Sequence, residues 1–342
     1  MDSLAMVVPK KKAEQAKGKL MEKSALRMDL QVESDSKNVH FPVNQRVQLG
    51  FEIVTRAFKE QKQVVSDYRE LLDLPEDLRP LLPSSFDVIG HVATVKLPDE
   101  LLPHAKAIAK AIADVNKPVK TVCLDEGVKG EIRARGLKIL YGSKDTLTTY
   151  KEHGLTFKVD PRTMFFSPRL ATERKIVADQ VSIGERVFDM FAGAGPFSIL
   201  IAKTKSPEQV YACDINQQAY DLLIENIRTN KVEGVVMPML GDAREAAAEV
   251  PTVNRVIMNL PHSSFDFLDV AAGKIAEGGT IHYYEILEQE ALDGRVTEIR
   301  KLLASLGKQV EKVVVRTVKS YSPTMRFFAV DIAIKGASSP PA

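Results

Sequence analysis

Long apolar runs are missing from this 342-residue chain. None approaches the roughly 18 residues a bilayer-spanning helix needs, so no membrane association is expected. The basic cluster Lys10-Lys-Lys12 has no apolar stretch behind it, which argues against a secretory signal. Cysteine is almost absent: Cys123 and Cys213 stand far apart, without metal-ligand spacing, in apolar strand-like runs. They read as reduced core residues of a cytoplasmic protein, and no metal site is expected. Tryptophan does not occur, and this excludes nothing. Charge of one sign is not in excess, with a net value of +2, so any nucleic-acid surface must be local.

What is present is ordinary material for large cores, with 44% hydrophobic and 27% charged residues. The length suits two or three domains. The most informative stretch is Val187-Phe-Asp-Met-Phe-Ala-Gly-Ala-Gly-Pro-Phe197, an apolar strand that breaks into Gly193-x-Gly195 and enters an apolar helix. Such a strand–turn–helix unit lets the backbone approach a nucleotide-like ligand closely. About 20 residues on, Val210-Tyr-Ala-Cys-Asp214 is a second strand ending in an acid suited to a pair of ribose hydroxyls. Ser198 stands where a dinucleotide fingerprint has its third glycine. With Asp189 ahead of the turn, this favours S-adenosylmethionine over a nicotinamide cofactor.

Residues 1–55 form an expected small basic domain, with a helix over Lys11 to Lys23, a strand at Val39–Val43, and seven Lys/Arg against four Asp/Glu in residues 1–30. Residues 56–85 read as a proline-containing linker. Residues 86–165 read as an α+β domain: strands turning at Gly90, a helix from His104 to Val115, and strands near Val119–Leu124, Leu137–Tyr141 and Leu155–Val159. Over 166–336, strands alternate with helices, which implies a mainly parallel α/β sheet closed by an antiparallel edge hairpin. The tail 337–342 is expected to be disordered.

Three segments fall at expected strand ends in that last domain: the Asp189–Gly195 loop, Gly241-Asp242-Ala-Arg244, and Asn259-Leu-Pro-His262. Asp242 suits an adenine amine. Asn259 is either a helix cap or, with Pro261, a reader of a planar base edge. Together with Phe165-Phe-Ser-Pro-Arg-Leu-Ala-Thr-Glu-Arg174 and Ile281-His-Tyr-Tyr284, these segments resemble the archaeal and eukaryotic tRNA (guanine-N1)-methyltransferases acting at position 37. The resemblance covers roughly 86–335 and, more loosely, the N-terminal unit.

The resemblance implies a Rossmann-like class I methyltransferase domain preceded by a middle α+β domain and a small tRNA-binding domain. The implied cofactor is S-adenosylmethionine, held by Arg174, Asp189, Phe191, Gly193, Gly195, Asp214, Ile215, Asp242, Ala243 and Asn259. Guanine N1 carries a proton at neutral pH, so a base must take it, and Glu173 occupies the family's position for that base. Charge growing on O6 calls for a cation, for which Arg133 or Arg135 is the candidate, with Asn259 completing the catalytic set. Arg169 and Pro261 are expected on the RNA side. The implied partner is tRNA, bound by a monomer through its body and anticodon loop. A transferase of the wybutosine pathway, or a non-catalytic RNA-binding protein on a cofactor fold, are the alternatives. Phe165, where many members have tyrosine, and Gln217, where proline is usual, depart from the pattern without touching the base or the glycine turn.

Overall fold

The computed structural model describes residues 1–61, 66–129 and 134–336. It divides into two compact units, Met1–Glu70 and Leu71–Ala342. The tail 337–342 and Arg133 lie outside the described residues, and for Arg135 the backbone alone is described.

The first unit is a four-stranded antiparallel sheet in the order β2-β3-β1-β4, made of β1 (Asp2–Pro9), β2 (Glu33–Ser34), β3 (Asn38–Val43) and β4 (Glu52–Ala57). Helix α1 (Ala13–Glu22) buries Ala16 and Leu20 in a core with Met6, Val8, Phe41 and Val43. The basic helix and the strand at Val39–Val43 are where the sequence placed them. The boundary expected at residue 55 falls inside β4, and Phe58 and a bridge from Leu30 to Glu60 carry the unit further. Strand β1 escaped notice because Met1 to Pro9 does not alternate: both of its faces bury apolar side chains.

The second unit begins with a sheet ordered β5-β6-β7-β8, from β5 (Asp87–Ile89), β6 (Val92–Val95), β7 (Thr121–Lys129) and β8 (Ala134–Gly142). Strands β6 and β7 are parallel, so the crossover helix α2 (Ala105–Val115) is required between them. The hairpin of β9 (Thr148–Glu152) and β10 (Leu155–Val159) is a separate two-stranded sheet. The sequence assigned Leu155–Val159 to the middle domain, whereas the hairpin packs on the α/β domain: Phe157, Leu155 and Val159 join that domain's core. Two asparagines of α5 (Gln217–Asn230) fasten it. Asn226 accepts from Lys158 N (2.7 Å) and donates to Lys158 O (2.9 Å). Asn230 does the same with Thr156, at 3.0 and 2.8 Å.

The α/β domain has a seven-stranded sheet in the order β13-β12-β11-β14-β15-β17-β16. Its strands are β11 (Arg186–Asp189), β12 (Gln209–Asp214), β13 (Val236–Leu240), β14 (Val253–Met258), β15 (Ile275–Glu288), β16 (Val310–Ser320) and β17 (Met325–Ile334). The first five are parallel, and β17 pairs antiparallel with both β15 and β16. This is the Rossmann-like class I arrangement with the expected C-terminal edge hairpin. Helices α3 (Ala171–Gln180), α4 (Pro196–Lys205) and α5 contribute to a core around Phe197, Leu200 and Leu223. On the opposite face, α6 (Ala243–Ala246), α7 (Leu268–Lys274) and α8 (Leu292–Ser305) pack with Val256, Met258 and Tyr283. Helix α7 stops at Lys274 because Ile275 already belongs to β15. The strand order reverses beside β11, where β12 lies on one side and β14 on the other. Open sheets of this kind bind ligands at that crevice.

Candidate active site

A cavity of about 660 Å³ opens at the carboxyl ends of β11 to β14. Its wall includes Phe191, Gly193, Asp214, Ile215, Asp242, Ala243 and Asn259 from the sequence-expected set. The turn after β11 is shaped by glycine. Gly195 caps α4 with φ +84°, and a Cβ there would meet Leu223 Cδ1 at 2.4 Å. Gly193 has φ +56°, and its N–H donates to Asp214 Oδ2 at 2.7 Å. A Cβ at Gly193 would narrow the cavity toward Met164, 3.5 Å away.

Asp214 also accepts from Asn216 N at 2.9 Å, so each of its oxygens is fixed by one backbone donor and can accept a second bond. Burial pushes its pKa up from the ordinary aspartate value, and those two backbone bonds work against the rise. Asp189 does not line the cavity. It lies fully buried beneath the turn, takes the Ser198 hydroxyl at 2.7 Å, and has its pKa pushed up to about 7 by burial. A carboxyl whose folded pKa exceeds its unfolded value near 4 binds more protons in the folded state between those values. Folding stability therefore falls as pH rises from about 4 toward 7 on account of this group. Thermal midpoints of the cofactor-free protein across that window are expected to fall less steeply in Asp189→Asn; an unchanged slope would refute the assignment.

The far side of the cavity is aromatic. Phe191 and Phe267 meet edge to face at 5.0 Å, and the Arg244 guanidinium stands 3.7 Å over the Phe267 ring while pairing with Asp242 at 3.2 Å. Asp242 caps α6 by accepting from Arg244 N. The Asn259-Leu-Pro261 turn is held from both sides: Ser264 Oγ donates to Met258 O and Leu260 O, and Ile286 N donates to Pro261 O. Pro261 supports this turn and does not line the cavity; Asn259 does. His262 and Tyr321 form an edge-to-face pair at 5.8 Å within the lining. Tyr321 comes from the β16–β17 connection, remote in sequence from every motif; an aromatic in the Ser320-Tyr-Ser-Pro turn was the available signal.

The segment leading into α3 sends Met164, Phe165, Phe166, Ser167, Leu170 and Arg174 to the cavity. Arg174 is spent on structure: it makes a buried two-pronged pair with Glu152 (2.6 and 2.5 Å) and donates to Ser167 O. Glu173, 4% exposed, is not in the lining. Its Oε1 accepts from Tyr284 Oη (2.9 Å) and Arg316 Nη2 (2.7 Å), and the Tyr284 ring abuts the cavity residue Phe197. Arg169 pairs with Asp87 at 2.5 Å, tying the entry of α3 to β5.

Comparison with known proteins places this geometry. Three family descriptions match in succession: the tRNA methyltransferase 5 N-terminal domain at 7–49, the TYW2 N-terminal domain at 68–146, and the TRM5/TYW2 methyltransferase domain at 148–314. The tRNA (guanine(37)-N(1))-methyltransferase Trm5b of Pyrococcus abyssi is 40% identical over 334 residues, 97% of this chain and 99% of that one. The chain belongs to this methyltransferase family.

The Methanocaldococcus jannaschii enzyme of the same family is 34% identical over 97% of this chain and 98% of its own. The crystal structure of the Pyrococcus abyssi enzyme superposes with a TM-score of 0.77 over 97% of this chain and 99% of that one. A complex of aTrm5 with tRNALeu superposes at 0.78, with 33% identity, over 97% of this chain and all of that one. The family's methyltransferase description begins at 148, in agreement with the docking of the β9–β10 hairpin on the α/β domain. Among the described residues no helix is long and apolar enough to cross a membrane.

Proposed function

We propose that this chain transfers the methyl group of S-adenosylmethionine to N1 of guanosine 37 in tRNA. The observation that carries the reading is one cavity that joins both halves of the chemistry. At one end lie the Gly193 turn and the doubly anchored Asp214; at the other lie Asn259 and the His262–Tyr321 pair. The residues fit the cofactor: Gly193 leaves room where a side chain would intrude, Asp214 has acceptor capacity for a ribose diol, and Phe191, Ile215 and Phe267 offer apolar faces to a purine. S-adenosylmethionine supplies an electrophilic methyl group and calls for no metal.

The chain's own work is to orient and to move a proton. Glu173 takes the N1 proton as the methyl–nitrogen bond forms, so that the guanine ends neutral and the carboxylate ends protonated. Asn259, on the rigid turn after β14, offers an amide donor and acceptor to the base edge. Arg133 or Arg135 supplies the cation that stabilises negative charge growing on O6. Arg169, already paired with Asp87, braces the loop. The target base leaves its stack to enter the cavity, and the basic first unit holds the tRNA body. A cytoplasmic location completes the proposal, supported by the two unpaired, buried cysteines.

A second reading has a specific observation behind it. An aminocarboxypropyltransferase of Methanocaldococcus jannaschii is 38% identical over 60% of this chain and 81% of its own. Incubation with cofactor labelled separately in the methyl and the aminocarboxypropyl group separates the two. Methyl label appearing in N1-methylguanosine, and vanishing when guanosine 37 is replaced by adenosine, is the expected result. Label from the aminocarboxypropyl group in tRNA, with none from the methyl, would overturn the proposal.

A further inference from the structure

We infer that Arg316, together with Tyr284, is a positioning residue that orients the Glu173 carboxylate for methyl transfer; this rests on the reading of Glu173 as the base. Both donors converge on one oxygen, Oε1, at 2.7 and 2.9 Å. Among the described residues no hydrogen-bond donor engages Oε2. A carboxylate held in this way has one oxygen spent on orientation and the other left to receive a proton.

Arg316 is itself fixed, because it is shared between two carboxylates. It pairs with Asp331 of β17 through two nitrogens as well as with Glu173. Asp331 is locked from the other side by His282 Nδ1 at 2.7 Å and by Gln180 Nε2 at 3.0 Å, from the far end of α3. His282 is fully buried and accepts from Arg255 Nη1 at 2.8 Å, so its single proton is on Nδ1, facing Asp331. Arg255 ends the chain of contacts on Glu185, at 2.9 and 3.1 Å, and on Gln180 O. The first and last turns of α3 are thus clamped to β15, β16 and β17 by one continuous polar row.

A merely structural ion pair would not need this arrangement at a carboxylate that stands just behind the cavity wall. The geometry also links the base to the mouth of the site. Strand β16 carries Arg316, and five residues later the chain delivers Tyr321 to the cavity lining. Tyr284, the second donor, lies against Phe197, which lines the same cavity.

The experiment is a double-mutant cycle on the full-length enzyme, read by single-turnover methyl transfer with saturating tRNA and S-adenosylmethionine. Arg316→Met is expected to lower the rate constant about 100-fold, with the apparent KM for each substrate within about twofold. Arg316→Lys, which keeps the charge, should recover all but about tenfold. In the Glu173→Gln background, Arg316→Met should cost less than about threefold, because it acts through the residue already disabled. A parent-like rate for Arg316→Met, or full additivity with Glu173→Gln, overturns the inference. An active Glu173→Gln enzyme overturns the base reading itself and is told apart by that single variant. If Arg316→Met does not fold, Tyr284→Phe carries the test. That change removes one hydroxyl and is expected to slow transfer about tenfold, an effect absent when Glu173 is glutamine; a rate within twofold of the parent would refute the inference.

Discussion

Glu173→Gln is expected to lower the methyl-transfer rate by roughly 10²- to 10⁴-fold, the usual worth of a positioned general base, while cofactor and tRNA still bind. The substitution is nearly isosteric. An amide oxygen can keep the bonds from Tyr284 and Arg316, so the cavity wall at Phe197 and the fold of α3 should survive. What disappears is the capacity to accept a proton from N1. A change confined to the chemical step lowers the single-turnover rate without raising the apparent dissociation constants. Single-turnover transfer of a labelled methyl group, with tRNA binding measured in parallel, decides the matter. A rate within a few-fold of the parent would remove Glu173 from the mechanism, and equal losses in binding and rate would make it a structural residue.

The largest stability loss is expected one residue further on. Arg174 and Glu152 bury a two-pronged ion pair whose side chains are 2% and 4% exposed. Removing one partner of such a pair leaves the other charge uncompensated in a dry interior, at a cost of about 3–5 kcal/mol. Arg174 does more than pair. It donates to Ser167 O, and its guanidinium lies 5.4 Å from the Phe166 ring centre, so it fixes the segment that forms one side of the cavity. Glu152→Gln and Arg174→Met are each expected to reduce the unfolding free energy by that amount in urea titrations. The double variant should lose less than the sum, because no lone charge remains buried. Losses below about 1 kcal/mol in both single variants, the range of an exposed pair, would contradict this account.

These two neighbours show how far the sequence could be read. The glycine turn, the acids at the ends of β12 and β13, and the Asn259-Leu-Pro261 turn were legible because each depends on local backbone requirements. Alternation of strand and helix gave the sheet, and the two-strand terminus gave its edge. The environments of Glu173 and Arg174 were not legible. Their partners are 111 and 143 residues away for Glu173 and 22 for Arg174. Nothing in residues 165–174 tells that the arginine is consumed internally, or that the glutamate stands behind the cavity wall. Asp189 was expected beside the ligand and is sealed under the turn, because the motif fixes the backbone path and leaves open which carboxyl faces inward. The β9–β10 hairpin was given to the wrong neighbour for a similar reason: its spacing follows the middle domain, while its apolar side chains and its polar edge match α5.

That polar edge has a consequence of its own. Free strand edges recruit other strands, and a two-stranded hairpin is marginally stable without something packed against it. Along β10, the peptide groups of Thr156 and Lys158 meet the carboxamides of Asn230 and Asn226, each of which both accepts from and donates to the same residue. A carboxamide carries the same donor and acceptor as a peptide unit. Four residues of helix rise about 6 Å and two residues of strand about 6.6 Å, so two asparagines one turn apart fall in step with alternate peptides. Helix α5 therefore plays the part of a third strand without being one, and a template for self-association is filled from within the molecule.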